Sequence, residues 1–324
     1  MPFTLTGLPI APQPSRTNNS RCTRLFLRNV LQNVLSNVLR HFLRKVLRKV
    51  FLGMFLTTIC ATAWAAELTV AVASNFAATL KILTPYYQQA TGDTIHASIG
   101  SSGKLATQII HGAPYDIFLS ANSELPTMLV NKQLAVPGSR FSYATGTLAL
   151  WQPRGHLSAL PPQGFDFSTI EMVALANPRH APYGAAAQQV LAVMGQWDRL
   201  SGQNRLALAE SVSQAWHFAA SGNVDVAFVA LAQIKHVLPH NGDSEPAYRL
   251  QEQSQEQVDD YWLPPAQWYS PIVQQGVILT RSRNKAAARR FCRWLQADPT
   301  AIQIIQKAGY QKIEPLPGDN SDDS

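Results

Sequence analysis

The sequence predicts an α/β protein with parallel-rich sheets flanked by helices, and three observations predict it. Short apolar runs of strand length alternate with stretches whose apolar residues recur at helical spacing. Two strand-to-helix junctions, Ala73-Ser74-Asn75-Phe76 and Ile99-Gly100-Ser101-Ser102-Gly103-Lys104-Leu105, place small polar residues at a helix start. The roughly 258 residues from Glu67 onward suffice for one large core or two lobes of ordinary size.

Residues 1–65 stand apart from that body. They hold nine of the chain's 27 Lys and Arg and no Asp or Glu, which leaves 18 basic residues against 20 acidic ones. The net charge of +7 therefore belongs to a leader, and the body lacks the basic excess of a nucleic-acid binder. Arg44-Lys45 and Arg48-Lys49 form a positive flank, Val50 to Ala63 an apolar run, and Ala63-Trp64-Ala65 a small-x-small cleavage site. That is the order of a secretory signal peptide. The run is shorter than the roughly 20 residues a spanning helix needs, so the reading is export to the periplasm and cleavage. Upstream, Asn29-Val30-Leu31, Asn33-Val34-Leu35 and Asn37-Val38-Leu39 repeat every four residues. At about 100° per residue such a stripe drifts by about 40° each repeat, which suits neither a fixed amphipathic face nor a coiled-coil seam. It reads as an over-long gene start, with translation beginning near Val46 or Met54; a membrane-surface helix is the alternative.

In the body, Leu68–Ala73 reads as the first strand. Phe76, Leu80, Leu83 and Tyr87 follow at i, i+4, i+7 and i+11, a core-facing helix with Pro85 as an expected kink. Residues Thr94–Ile99, Tyr115–Ser120, Thr147–Trp151, Glu171–Ala176, Val224–Ala230 and Gly276–Thr280 read as further strands. Ala185–Met194, Ser211–Ala220, Lys285–Gln296 and Thr300–Lys307 read as helices. Residues 153–164 and 238–265 read as loop and irregular segments, and 317–324 as an acidic, disordered tail. Cys22 and Cys60 fall in the leader, so Cys292 has no partner for an intramolecular disulfide. Its apolar helical neighbours mark it as a buried small hydrophobe.

Taken singly, each polar junction is ordinary helix capping. The second offers more: two hydroxyls, exposed backbone N–H groups and room for close approach at a helix N-terminus, which is an anion site in open α/β sheets. Enzymatic readings are thinner. Ser101-x-x-Lys104 matches one element of penicillin-binding acyl transferases, but neither Ser-Asp-Asn nor Lys-Thr-Gly occurs. Leu105 stands where a Walker motif needs Ser or Thr. The histidines after the leader (His96, His111, His156, His180, His217, His236 and His240) are scattered, and His236-x-x-x-His240 is interrupted by Pro239. No catalytic residue and no cofactor is expected.

The stretches Ala71–Phe76, Gly100–Ile109, Gly112-Ala113-Pro114-Tyr115-Asp116-Ile117-Phe118-Leu119-Ser120-Ala121 and Ala174–Gly184 resemble the periplasmic molybdate-binding proteins of ABC importers, with weaker likeness at Trp197–Leu200 and Ala308–Tyr310. The likeness spans Glu67 to about Pro315. It implies a two-lobed periplasmic binding protein (type II) with a ligand cleft between the lobes: residues 66–144 plus 271–316 in lobe one, 145–270 in lobe two. It implies capture of molybdate, and tungstate as well, by Ser74, Asn75 and Ser102 on one side and backbone N–H groups near Tyr183 and Val212 on the other, with no direct metal ligands. The partners implied are an inner-membrane ABC permease and its ATPase, and the protein is expected to be a monomer. Some family members place a Tyr hydroxyl where this chain has Ala230, a role left to Asn75 or Tyr183. Sulfate or another tetrahedral oxyanion is the alternative ligand, and a Ser-x-x-Lys acyl enzyme the alternative of another class. Neutral donors suit molybdate, tungstate and sulfate, which carry no proton at neutral pH, whereas phosphate keeps one and needs an acceptor. Glu210 is the carboxylate nearest the implied contacts in sequence.

Overall fold

The computed structural model describes residues 42–45, 65–153, 165–235 and 261–311. The apolar run and cleavage site of the leader, most of both irregular segments and the acidic tail lie outside the described residues. Residues 42–45 form one exposed helical turn. Among the described residues no helix is long and apolar enough to cross a membrane.

From residue 65 the chain builds two five-stranded sheets. The first begins β1 (Glu67–Ala73), α1 (Ala77–Thr91), β2 (Thr94–Gly100), α2 (Ser102–Ile110), β3 (Ile117–Ser120), α3 (Glu124–Asn131) and β4 (Phe141–Gly146). The chain then crosses at Thr147 into the second: β5 (Leu148–Trp151), β6 (Val173–Ala176), α4 (Pro182–Val193), α5 (Trp197–Gly202), β7 (Leu206–Ala209), α6 (Val212–Ala220), β8 (Val226–Ala230), α7 (Leu231–Lys235) and β9 (Tyr261–Trp262). It returns through β10 (Ile272–Ile278), α8 (Lys285–Ala297) and α9 (Pro299–Lys307). The strand orders are β2-β1-β3-β10-β4 and β7-β6-β8-β5-β9.

Strand–helix alternation predicts parallel sheets, and β1, β2 and β3 are parallel, as are β6, β7 and β8. The sheets are nonetheless mixed, because β10 and β5 each run antiparallel to both neighbours. These two strands arrive from the opposite sheet. They enter at the end toward which the parallel strands point, so they must run the other way. The same geometry turns the carboxyl ends of β1, β2, β6 and β7 toward the place where the chain crosses.

The helices pack as their periodicity requires. Leu80, Leu83 and Tyr87 of α1 join Phe291 and Leu295 of α8 and Ile304 of α9 on one face of the first sheet, while Leu105 and Ile109 of α2 cover the other. In the second sheet Ala187, Val190 and Leu191 of α4 cover one face and Ala215 and Ala219 of α6 the opposite one. The α1 helix continues through Pro85 as one element, Ala77 to Thr91. Cys292 is buried, and burial pushes its thiol up to about 12, so it stays an unreactive neutral group. Asp93, 1% exposed, ties three elements together: it accepts from the Ala66 N–H, the Tyr87 hydroxyl and Arg290. Burial alone would raise its carboxyl, but the Ala66, Arg290 and Tyr87 hydrogen bonds outweigh it and hold it below the usual carboxylate range. Its contribution is thus present at neutral pH and is lost only as the pH falls through that lowered value.

Candidate functional site

Because four parallel strands end at the crossing, the elements that follow them all begin there. Ser74 opens a single 3-10 turn after β1, Ser101 caps α2 after β2, Pro182 starts α4 after β6, and Ser211 caps α6 after β7. Their first turns line one small, partly open cavity formed by Ser74, Asn75, Ser101, Ser102, Tyr183 and Val212 with four small apolar neighbours. All five residues that the sequence singles out, Ser74, Asn75, Ser102, Tyr183 and Val212, are therefore brought together, each at most 6% exposed. The cavity is small: about 10 Å³ of it can take the centre of a water-sized sphere, close to the roughly 10–15 Å³ that admits one water and far below the roughly 300–1,000 Å³ of ordinary organic-ligand clefts. It has no room for an organic ligand. A larger depression along Ser123–Lys132, at and around α3, lies more open to solvent and has Glu124 and Lys132 in its lining.

No charged side chain lines the cavity, and among the described residues no group of His, Cys, Asp or Glu is placed to hold a metal ion. What the cavity offers is hydrogen. A helix leaves its first N–H groups without intrahelical acceptors, and their partial positive charge favours an anion. On α6 the Ser211 hydroxyl oxygen accepts from the Gln214 N–H, and the first N–H of the helix, that of Val212, which lines the cavity, has no acceptor within its own helix. On α4 the residue at the first position is Pro182, which has no N–H, so the first main-chain donor is Tyr183. The Ser102 hydroxyl oxygen accepts from the Ala121 N–H at 2.9 Å, so its proton is left to be donated.

Asn75 differs from its sequence-based role. Its carboxamide, expected to meet the ligand, donates instead to Gln274 Oε1 at 2.9 Å and to the Tyr310 hydroxyl at 3.2 Å. Both amide hydrogens are engaged, and the main-chain N–H is what Asn75 can present. The Tyr183 hydroxyl likewise accepts from Gln274 Nε2 at 3.3 Å. Ala230 supplies no hydroxyl; its N–H donates to Gln233 Oε1.

Sequence reading passed over Ser101 as a ligand contact. Its Oγ is buried against the cavity without a hydrogen-bond partner, an arrangement that costs about 1–3 kcal/mol unless something fills it. The adjoining Gly-Ser-Ser-Gly run was the available signal, since it offers two hydroxyls. Lys104 does not serve Ser101 as a base: its Nζ lies 2.5 Å from Glu210 Oε1, at the surface. Glu210 is likewise outside the cavity, and the Lys104 hydrogen bond and charge hold its carboxyl below the usual range. Besides the Gln274–Tyr183 bond, three contacts join the two sheets around the cavity: this ion pair, Gly103 N–H to the His180 carbonyl at 2.9 Å, and the Ser213 hydroxyl to the Ser74 carbonyl at 3.1 Å.

The family of bacterial extracellular solute-binding proteins matches residues 68–311. The molybdate-binding protein ModA of Rhodobacter capsulatus is 37% identical over 247 residues, 76% of this chain and 88% of that protein. ModA of Azotobacter vinelandii is 36% identical over 251 residues, 76% of this chain and 91% of that one. The solved structure of the Azotobacter vinelandii periplasmic molybdate-binding protein superimposes with a TM-score of 0.67 at 39% identity, covering 76% of this chain and all of that one. The sulfate-binding protein SubI of Mycobacterium tuberculosis, 14% identical with a TM-score of 0.56, shares the fold alone.

Proposed function

The chain belongs to the family of bacterial extracellular solute-binding proteins, and on that premise we propose that it captures molybdate, with tungstate as a second ligand, and delivers it to an ABC permease. The observation that carries this reading is a small cavity with converging helix-start donors and no charged lining residue. A dianion with four acceptor oxygens meets only donors there. Hydrogen bonds to charged groups contribute about 1.5–3 kcal/mol each, so roughly five to seven need no buried Lys or Arg. Protonated phosphate needs an acceptor, and the one carboxylate nearby, Glu210, is on the rim and paired with Lys104. Sulfate shares the charge and shape and is the second reading. The two sheet regions act as lobes that part at Thr147 and at the segment before Ile272, breaking the contacts between them around the cavity, and the protein works as an extracytoplasmic monomer without catalytic activity.

Titrating the protein with molybdate, tungstate, sulfate and phosphate while following its melting temperature tests this. A ligand at about a hundred times its Kd adds roughly 2.7 kcal/mol, a rise of about 5–10 °C for a chain of this size. Molybdate and tungstate are expected to produce it. A rise with sulfate or phosphate alone would keep the anion site and overturn the ligand.

Ser101→Ala has an unusual expected sign. Removing an orphan hydroxyl should leave the ligand-free melting temperature unchanged or raise it, while molybdate affinity falls roughly ten- to a hundredfold through one lost charge-assisted bond. A fall in ligand-free stability with unaltered affinity would mean that the hydroxyl faces the protein.

A further inference from the structure

Beneath the cavity, where the chain passes between the sheets, lies a buried polar network centred on Gln274 of β10, which is fully buried. The pairing of β10 with β4 shifts register between Gln274 and Gln275, an irregularity of the kind that re-aims side chains. Proton counting fixes the direction of the bonds. Tyr310 donates its single proton to the Asn75 carbonyl at 2.8 Å, so its oxygen can only accept, and it takes one Asn75 Nδ2–H at 3.2 Å. The other Nδ2–H goes to Gln274 Oε1 at 2.9 Å, which leaves Gln274 Nε2 to donate to the Tyr183 hydroxyl at 3.3 Å. Burial raises the phenols of Tyr310 and Tyr183 above their ordinary value, so each keeps its proton throughout the working pH range. Gly146, on the other crossing, makes space for this bond: a Cβ there would overlap the Tyr183 hydroxyl and fall 2.8 Å from Gln274 Nε2.

One amide thus holds a residue from each wall. Asn75 belongs to the first-sheet side of the cavity, and Tyr183 to the first turn of α4, which covers the second sheet. The Gln274–Tyr183 bond is the member of this set that spans the two sides, and it is the one lost when they separate. We propose that Gln274 is a positioning residue for the anion cavity, holding the Asn75 and Tyr183 walls at the spacing a bound oxyanion needs and slowing its release. This rests on the oxyanion-binding function proposed above.

The test compares the full chain with Gln274→Met, Tyr183→Phe and the double variant, measuring molybdate Kd by calorimetry, its dissociation rate by stopped flow and the ligand-free melting temperature. Tyr183→Phe should weaken binding roughly three- to tenfold, the effect of one neutral hydrogen bond, and Gln274→Met, which also removes the acceptor of the Asn75 amide and of the Tyr143 hydroxyl, by at least as much, with the loss in the dissociation rate. Because both remove the same bond, the double variant should bind no more weakly than the weaker single one. A merely structural role would lower the ligand-free melting temperature and leave Kd within about twofold, the limit of ordinary additivity error; that result, or losses that multiply in the double variant, overturns the proposal. Should Gln274→Met fail to fold, Tyr183→Phe decides alone, since it removes one oxygen. Failure of the unaltered chain to bind any oxyanion would instead overturn the function and this inference with it.

Discussion

Replacing Ser74 and Ser102 together by alanine is expected to weaken molybdate binding by roughly two to four orders of magnitude. The estimate assigns each hydroxyl about 1.5–3 kcal/mol as a donor to a charged group, at about 1.4 kcal/mol per tenfold. The two changes should differ in a second readout. Ser102→Ala also removes the acceptor of the Ala121 N–H, so ligand-free stability should fall by about 1–3 kcal/mol for an orphaned buried group. Ser74 accepts its structural contact, from Ser213, through its main-chain carbonyl, and Ser74→Ala leaves that contact in place. Calorimetry gives the affinities and thermal denaturation the stabilities. A double variant whose Kd stays near that of the unaltered chain would remove both hydroxyls from the ligand shell and leave them as helix caps.

Gly184→Ala should be strongly disruptive at a position where helix propensity alone predicts a gain of about 1 kcal/mol. A Cβ at Gly184 would overlap the Ala176 carbonyl oxygen and lie 2.7 Å from its carbon. That carbonyl ends β6, inside the second sheet, and the next residue is itself anchored, with the Asn177 N–H bonded to the Ala209 carbonyl at 2.7 Å. The strand cannot yield, so the first turn of α4 must lift away and take the Tyr183 N–H with it. Overpacking of this kind costs about 1–3 kcal/mol in stability, and a donor displaced by about 1 Å leaves the 2.7–3.2 Å range of a hydrogen bond. Both melting temperature and molybdate affinity should therefore fall. An unchanged melting temperature would show that the helix start has freedom to move.

Much of this molecule is legible in its residues. Leu80, Leu83 and Tyr87 mark a helix face because burial on one side demands that spacing, and the alternation of strands with helices marks an α/β chain because crossovers between parallel strands need it. The Ser-Asn and Gly-Ser-Ser-Gly junctions are visible as helix starts, since small polar residues satisfy or free first-turn N–H groups locally. Each of these signals lies within about ten residues of chain, which is why a linear reading reaches it. The strand Phe141–Gly146 escaped notice because its Ser142, Tyr143 and Thr145 read as polar surface, whereas all but Thr145 of its residues are buried. Gln274 escaped for the same reason: the apparent strand began at Gly276, and two glutamines before it gave no hint of burial.

What the sequence determined by itself is most of the strand–helix alternation and the small polar helix starts at Ser74-Asn75 and Ser101-Ser102 as chemical types; Tyr183 and Val212 came only from the resemblance. Only the tertiary structure decided how they are used. Asn75 and Gln274 are 199 residues apart, and no local pattern shows that the Asn75 amide hydrogens are taken up by Gln274 and Tyr310. Likewise Ser101 and Ser102 are neighbours of identical chemistry, yet one hydroxyl accepts from Ala121 and the other has no partner. Hydrogen-bond satisfaction depends on which groups distant chain segments bring within about 3 Å. That is settled by the packing of the two sheets.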